Sequence, residues 1–428
     1  MERYSEYKDS GVKWLGEIPS HWEVLAIKHI LKLKKNIVGK QSSQFDLLSL
    51  TLKGVVKRDM ENPEGKFPAS FDAYQIVEPN DFIFCNFDNE ETPRAVGLSP
   101  YKGMITGAYD VLFRKNSKLT DKFLIYYFLY IDDAKRFKPL YKGLRKTVPF
   151  DSFMSYKIPI PSLKEQDAIV SYLDSVTAKI DEAIAQQQKM IDLLNERKQI
   201  IINKAVTNGL NPKAKLKPSG IDWIGEINSK WNIFRLKHLI KGNLMYGANE
   251  SAESDNDAYP RYIRITDIDD DGNLRPDTFR SLPPAKAEPY LLKKGDLLFA
   301  RSGATAGKTF LFKGGIEACF AGYLIKATLS NAVIPEYLCY YTKSGVYDNW
   351  KRGIFIQATI PNIGADKYSN LLMPLPTLEE QKKIVAFLDV EIGKISESVA
   401  IFKQQISLLQ ERKQIIINDV VTGKVKVA

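Results

Sequence analysis

Residues 301–310, RSGATAGKTF, carry the types that cradle a phosphate: glycines, a lysine and a threonine closing on Gly307-Lys308-Thr309. A P-loop needs four residues between its first glycine and the Gly-Lys pair, so that successive backbone N–H groups wrap the phosphate and pass it to a helix N-terminus. Gly303 leaves three, and Phe310-Leu311-Phe312 followed by Gly314-Gly315 reads as a short strand entering a turn. The stretch is therefore expected to join two strands. Asp267-x-Asp269-x-Asp271-Gly272 imitates a calcium loop as far as its sixth position, but Thr278 stands where a bidentate glutamate must close the site and Pro276 disturbs the exit. Cys85, Cys319 and Cys339, like His21, His29 and His238, have no metal-ligand spacing. No Ser-His-Asp, Cys-His or paired-carboxylate arrangement recurs along the chain. The expectation is a protein without catalytic residues or a metal site of its own.

The elements that must position such loops are set by an internal repeat. KDSGVKWLGEIPSHWEVLAIKHI (8–30) matches KPSGIDWIGEINSKWNIFRLKHL (217–239) at 11 of 23 positions. IPIPSLKEQDAIVSYLDS (158–175) matches MPLPTLEEQKKIVAFLDV (373–390), and ERKQIIIN occurs unchanged at 196–203 and 411–418. A period near 210 residues lies far above that of a solenoid, so each copy is a domain with its own appendage. Short apolar runs between turn signals, such as PNDFIFCNF (79–87) and KKGDLLFARSG (293–303), place Asp81 and Asp296 alike and indicate α/β or α+β globular domains. Beyond Pro161 and Pro376 the pattern changes. Ser162-x-x-Glu165 and Thr377-x-x-Glu380 have the capping-box form, and helical periodicity then runs to Gly209 and Gly423.

Leu173, Ile180, Gln187, Leu194 and Ile201 fall seven apart, as do Val176, Ala183 and Met190; Leu388, Ile395, Phe402, Leu409 and Ile416 repeat the first register. A lone amphipathic helix of this length, about 66 Å at ~1.5 Å per residue, exposes too much apolar surface, and its simplest partner is its own duplicate. The boundaries expected are domains at 1–157 and 211–372, with helices at 158–210 and 373–428. Antiparallel pairing gives a pseudo-twofold molecule.

Lys and Arg outnumber Asp and Glu by 61 to 51, which suits a polyanionic partner such as nucleic acid. The N-terminus is charged where a signal peptide is apolar, no run reaches the ~18 apolar residues of a membrane span, and the separated cysteines fit a reducing compartment. The cytoplasm is the expected location.

The order of variable domain, long helix, variable domain, long helix, with GEIPSHW opening the first half and P-x-x-x-EQ opening each helix, closely resembles the specificity subunit of type I restriction-modification systems. The resemblance covers essentially the whole chain. It implies two target recognition domains reading a bipartite double-stranded DNA site across a nonspecific spacer set by an antiparallel coiled coil. It implies docking of DNA methyltransferase subunits, joined by ATP-dependent restriction subunits. S-adenosylmethionine, ATP and Mg2+ then serve the partners, adenine methylation and cleavage are the partners' chemistry, and no cofactor is expected here. Asn228 replaces the Pro19 of the first copy, which leaves the form of that turn open.

Contacts to DNA are expected from Arg301, Ser302, Thr305 and Lys308, arginine matching guanine O6 and N7 and lysine matching phosphate. The equivalent place in the first copy holds Asn86, Asn89, Thr92 and Arg94, in NFDNEETPR. GLRKTVP (143–149) aligns with FIQATIP (355–361), setting Arg145 and Lys146 against Gln357 and Ala358. Arg261 and Arg264, alternating with Ile263 and Ile265, are expected on a half-buried strand; the acidic stretch 249–257 is expected as a mobile surface loop.

Overall fold

The structure is a computed structural model and describes residues 2–59, 68–269, 272–355 and 361–427. The chain forms two compact units, one of residues 1–187 with 404–428 and one of residues 188–403.

The first unit contains β1 (Glu23–Ala26), β2 (Leu31–Lys34), β3 (Phe82–Phe84), β4 (Val96–Leu98), β5 (Asp110–Arg114), α1 (Asp121–Asp133), β6 (Lys157–Ile160) and the start of α2 (Leu163–Thr207). Its main sheet is antiparallel in the order β2-β5-β3-β4, and β1 pairs with β6. The second unit contains β7 (Asn232–Arg235), β8 (Met245–Tyr246), β9 (Arg261–Ile263), β10 (Leu297–Ala300), β11 (Thr309–Leu311), β12 (Ala318–Phe320), β13 (Leu324–Ala327), α3 (Pro335–Tyr341), α4 (Gly345–Phe355), β14 (Leu372–Leu375) and the start of α5 (Leu378–Val421). Its main sheet, β8-β13-β10-β11, is again antiparallel, and β7 pairs with β14. The duplication read from the repeat is thus a duplication of topology.

Local chemistry explains the shared turns. Asp81 and Asp296 are both buried ahead of the strand that begins one residue later. Asp81 accepts from the Glu78 amide at 2.7 Å and Lys34 Nζ at 2.6 Å. Asp296 accepts from the Lys293 amide at 2.8 Å and Thr328 Oγ1 at 2.7 Å. The aromatic run at 123–131 forms the core face of α1, started by Thr120, whose side chain accepts from the Phe123 amide. Asn228 leaves its turn unchanged: the Trp231 amide donates to the Asn228 carbonyl as the Trp22 amide does to that of Pro19. Its amide adds a bond to the Asn208 carbonyl at the end of α2.

Within the first unit, Ile169, Val170 and Leu173 at the start of α2 share a core with Ile417, Val420 and Val421 at the end of α5. Within the second, Ile202, Ala205 and Val206 at the end of α2 share a core with Ile384, Leu388 and Ile392 at the start of α5. Each unit therefore shows the helices antiparallel, and each helix packs both on its duplicate and on a globular domain. One stripe needs correction. Leu173, Ile180, Gln187, Leu194 and Ile201 are buried or half-buried as spaced, and of their expected companions Val176 and Ala183 are half-buried but Met190 is exposed; the residues one further on, Thr177, Ile184, Ile191, Lys198 and Ala205, are buried or half-buried throughout.

Both capping boxes form. Glu165 Oε2 accepts from the Ser162 amide at 3.2 Å and Glu380 Oε2 from the Thr377 amide at 3.1 Å. The neighbouring glutamines are fully buried. Gln381 Oε1 accepts from the Ile334 amide at 2.8 Å, and its Nε2 donates to the carbonyls of Ala332 at 3.1 Å and Pro376 at 3.0 Å. Gln381→Glu replaces the donor with a second acceptor facing two carbonyls, and should cost about 2–3 kcal/mol in urea titrations at pH 8. Burial raises the new carboxyl above its unfolded value, so the loss should shrink as pH falls and the protonated form regains a donor; an unchanged urea midpoint would refute this role.

Candidate nucleic-acid interface

In the first unit the loop after β3 is built by its own polar side chains. The Asn86 amide donates to Asp110 Oδ2 at 2.7 Å, while burial pushes the Asp110 carboxyl up against the lowering effect of that bond. Asn89 donates to the Cys85 carbonyl at 3.1 Å and accepts from Tyr141 Oη at 2.8 Å. Thr92 Oγ1 donates to the Asp88 carbonyl at 2.8 Å. Asn86 and Asn89, expected at base edges, are buried and shape the loop from within. Arg94 is likewise turned inward, with Nε 3.9 Å from buried Asp132.

What this loop presents outward comes from its neighbour. Lys142 and Thr147 exchange backbone bonds of 2.8 and 3.0 Å, closing a hairpin whose tip is Gly143-Leu144-Arg145-Lys146. Arg145 Nε donates to Asp88 Oδ1 at 3.1 Å, the Asp88 amide donates to the Arg145 carbonyl at 2.6 Å, and the guanidinium lies 4.8 Å from the Phe87 ring centre. The Arg145 hydrogen bond holds the Asp88 carboxyl below its ordinary value. Arg145 and Lys146 remain exposed.

In the second unit, residues 301–308 do join β10 to antiparallel β11, with a single 3-10 turn at Gly303–Thr305. No helix follows the Gly-Lys pair. Gly307 has φ +86°, a backbone conformation that other residues rarely adopt, and a Cβ there would meet the Lys351 side chain of α4. Tyr347 Oη donates to its carbonyl at 2.9 Å.

Arg301 differs from the other candidate arginines. Its backbone is held by the Tyr323 carbonyl at 2.9 Å and the Ile363 amide at 2.8 Å. Its guanidinium lies 5.2 Å from the Tyr246 ring centre and meets no acid among the described residues. Tyr246 and Tyr323 are 43% and 65% exposed, so an unneutralised guanidinium sits beside the exposed Tyr246 ring, with a second exposed tyrosine on the strand connection that holds its backbone. Tyr262, Tyr337, Tyr341, Tyr347 and Tyr368 are buried in the core, unlike these two. Ser302 is half-buried and Thr305 exposed. Lys308 Nζ donates to the Ile268 carbonyl at 3.1 Å, and with Lys343, Lys351, Thr305 and Thr342 it lines a cleft of about 350 Å³. The two further lysines were not foreseen, because α4 and the turn before it lie far away in sequence.

Arg261 opens β9 and is half-buried, as expected, but Arg264 falls beyond the strand, so the two do not alternate along it. Arg261 Nη2 donates to the Arg275 carbonyl at 2.6 Å. Arg264 lies just past β9, where its Nη2 donates to Asp267 Oδ1 at 2.7 Å and the Thr278 carbonyl at 2.9 Å. Asp267, first residue of the calcium-loop look-alike, is thereby an internal partner. The stretch 249–257 is anchored by the Ser254–Ser281 hydroxyl contact at 3.0 Å and by Lys286–Glu250 at 2.6 Å. Gln357 lies outside the described residues.

Comparison with known proteins gives this geometry a context. Residues 96–191 and 228–404 match the family described as the type I restriction modification DNA specificity domain. The chain is 24% identical over 440 residues to the type I restriction enzyme MjaVIII specificity subunit of Methanocaldococcus jannaschii, covering 98% of this chain and 97% of that one. It is 22% identical over 393 residues to the StySPI specificity subunit of Salmonella potsdam, covering 86% and 82%. A solved chain from work on complex assembly and conformational transition of the type I R-M system superposes with a TM-score of 0.68 at 16% identity, covering 95% of this chain and 99% of that one. Among the described residues no helix is long and apolar enough to cross a membrane.

The two arginine environments separate structural from exposed roles. Arg264→Ala leaves the buried Asp267 carboxylate without its guanidinium and should lower stability by about 2 kcal/mol in urea titration. Arg301→Ala should leave the unfolding midpoint within about 0.5 kcal/mol of the parent; equal losses would erase the distinction.

Proposed function

The chain belongs to the type I restriction-modification DNA specificity family, and from that premise we propose that its two units read the two parts of a split DNA target for methyltransferase and restriction subunits assembled on it. The observation that carries this reading is one antiparallel sheet topology occurring twice with different loops after equivalent strands. Asn86 faces inward where Arg301 is left free, so equivalent scaffolds offer different chemistry to a base pair. The helices α2 and α5 each contribute to both units and set the length of the unread spacer. S-adenosylmethionine, ATP and Mg2+ act on the partner subunits, where adenine methylation and DNA cleavage take place.

In the second unit, Arg301 contacts a base edge with Tyr246 and Tyr323 beside it, and the Lys308 cleft holds backbone phosphate. Arg301→Ala should weaken binding through one half of the target by about 1–3 kcal/mol, whereas Lys308→Ala should weaken all sequences alike and flatten the salt dependence. Equal loss on unrelated duplexes in both variants would remove the base-reading role. Mapping methylated adenines in cells carrying this chain and its methyltransferase should return two short motifs separated by a fixed unread spacer; one uninterrupted motif would overturn the proposal. A heptad inserted after Gln188 in α2 together with one after Lys403 in α5 preserves the seam and adds about 10 Å of helix, so the mapped spacer should lengthen by about three base pairs.

A further inference from the structure

Leu144, at the tip of the hairpin in the first unit, is 101% exposed, the most exposed large apolar side chain among the described residues. The tip does not owe this to slackness. Besides the paired Lys142 and Thr147 and the Arg145–Asp88 contacts, the Lys146 amide donates to the Gly143 carbonyl at 3.2 Å and the Val148 amide to the Asn86 carbonyl at 2.7 Å. Lys146 and Asp88, neither of them glycine, hold φ of +45° and +47°. Backbone kept in that region must be over-determined by its surroundings, and here the result is a leucine held outward with Lys142, Arg145 and Lys146 around it. The nearby acids are Asp88, paired with Arg145, Glu90, paired with Lys138, and exposed Glu91.

The second copy supplies an independent observation. Aligned on Thr147-Val148-Pro149 and Thr359-Ile360-Pro361, Leu144 corresponds to Ile356, while Arg145 and Lys146 correspond to Gln357 and Ala358. The neighbours change, but the apolar side chain is kept. A side chain needed only for solubility at a loop tip has no reason to stay apolar. An apolar body among cations suits a duplex, whose anionic backbone surrounds a stack of apolar faces that small wedges can enter.

We propose that Leu144 is an apolar wedge that enters the base stack in the half of the target read by the first unit. This rests on the DNA-reading function proposed above and adds an action on the duplex: opening one step of the stack. A methyltransferase must take its target base out of the helix, and a step already opened from the other groove or strand lowers the resistance to that movement. The flanking cations hold the phosphates while the leucine replaces a stacking contact.

The test uses the complete complex with its methyltransferase and the target duplex obtained from methylation mapping. 2-Aminopurine is placed in turn at each purine of the first half-site other than the methylated adenine. The parent should give a several-fold fluorescence rise at one position. Leu144→Ala should abolish that rise and weaken binding about tenfold, Leu144→Met should retain it, and both should unfold at the parent temperature because the side chain touches nothing in the folded chain. A rise that persists in Leu144→Ala, or the absence of any rise in a parent complex that binds its target, overturns the wedge and leaves the DNA-reading function standing. Loss of the methyltransferase from the Leu144→Ala complex in gel filtration also overturns it, by making Leu144 a protein contact. Failure of the parent to prefer its mapped target is the separate outcome that defeats the reading itself.

Discussion

Two buried glutamines connect everything else. Gln166 and Gln381 stand next to the capping glutamates at the start of each long helix, and each side-chain amide meets one backbone N–H and two carbonyls. Glutamate lacks the donor for the two carbonyls, and asparagine is one methylene short of reaching across. The groups served include the Thr120 and Ile334 amides, which stand at the N-caps of α1 and α3. One side chain therefore ties the start of the long helix to the start of the helix that covers the sheet. Glu165 and Glu380 extend the tie to the indoles of Trp22 and Trp231 at 3.3 and 3.5 Å. The Pro-x-x-x-Glu-Gln signature is the joint between the reading domain and the helix of its unit.

A joint of this kind matters because hydrogen-bond readout tolerates little displacement. A bidentate arginine–guanine pair depends on two parallel bonds, so a reading side chain is only as discriminating as the scaffold behind it is rigid. The loops show the same economy of motion. Asn86, Asn89 and Thr92 hydrogen-bond within their loop, and Tyr347 and Lys351 back the glycine turn beside Lys308. Polar residues close to a presumed contact surface thus divide into those that hold the loop and those the loop holds out.

That division explains what was legible in the sequence. The duplication, both capping boxes, the paired role of Asp81 and Asp296 and the principal heptad stripe all rest on local spacing, and local spacing survives in a one-dimensional reading. The assignments of Asn86, Asn89, Arg261 and Arg264 rested on residue type alone. Whether an arginine is free depends on an acid or carbonyl brought up by tertiary structure: Asp267 is three residues from Arg264, but the Thr278 carbonyl arrives only when the following loop folds back. Tyr246 and Tyr323 were hidden among core tyrosines for the same reason. The companion heptad stripe was displaced because Val176, Ala183 and Met190 are apolar and heptad spacing alone fits both them and the residues one further on.

Duplication also accounts for where divergence is tolerated. Residues that join domain to helix bond to backbone at the start of two helices of their own unit, so a change in them disturbs both. Residues 301–308 and 143–146 project from turns whose closing bonds are made by backbone: the Ala300 amide to the Lys308 carbonyl at 2.7 Å in one, the Lys142–Thr147 exchange in the other. Backbone bonds constrain the shape of a turn but not the chemistry of its side chains. The same scaffold can therefore carry arginine, asparagine or glutamine at its tips without altering the fold, which is the physical condition for a protein whose two halves share a construction and differ in what they recognise.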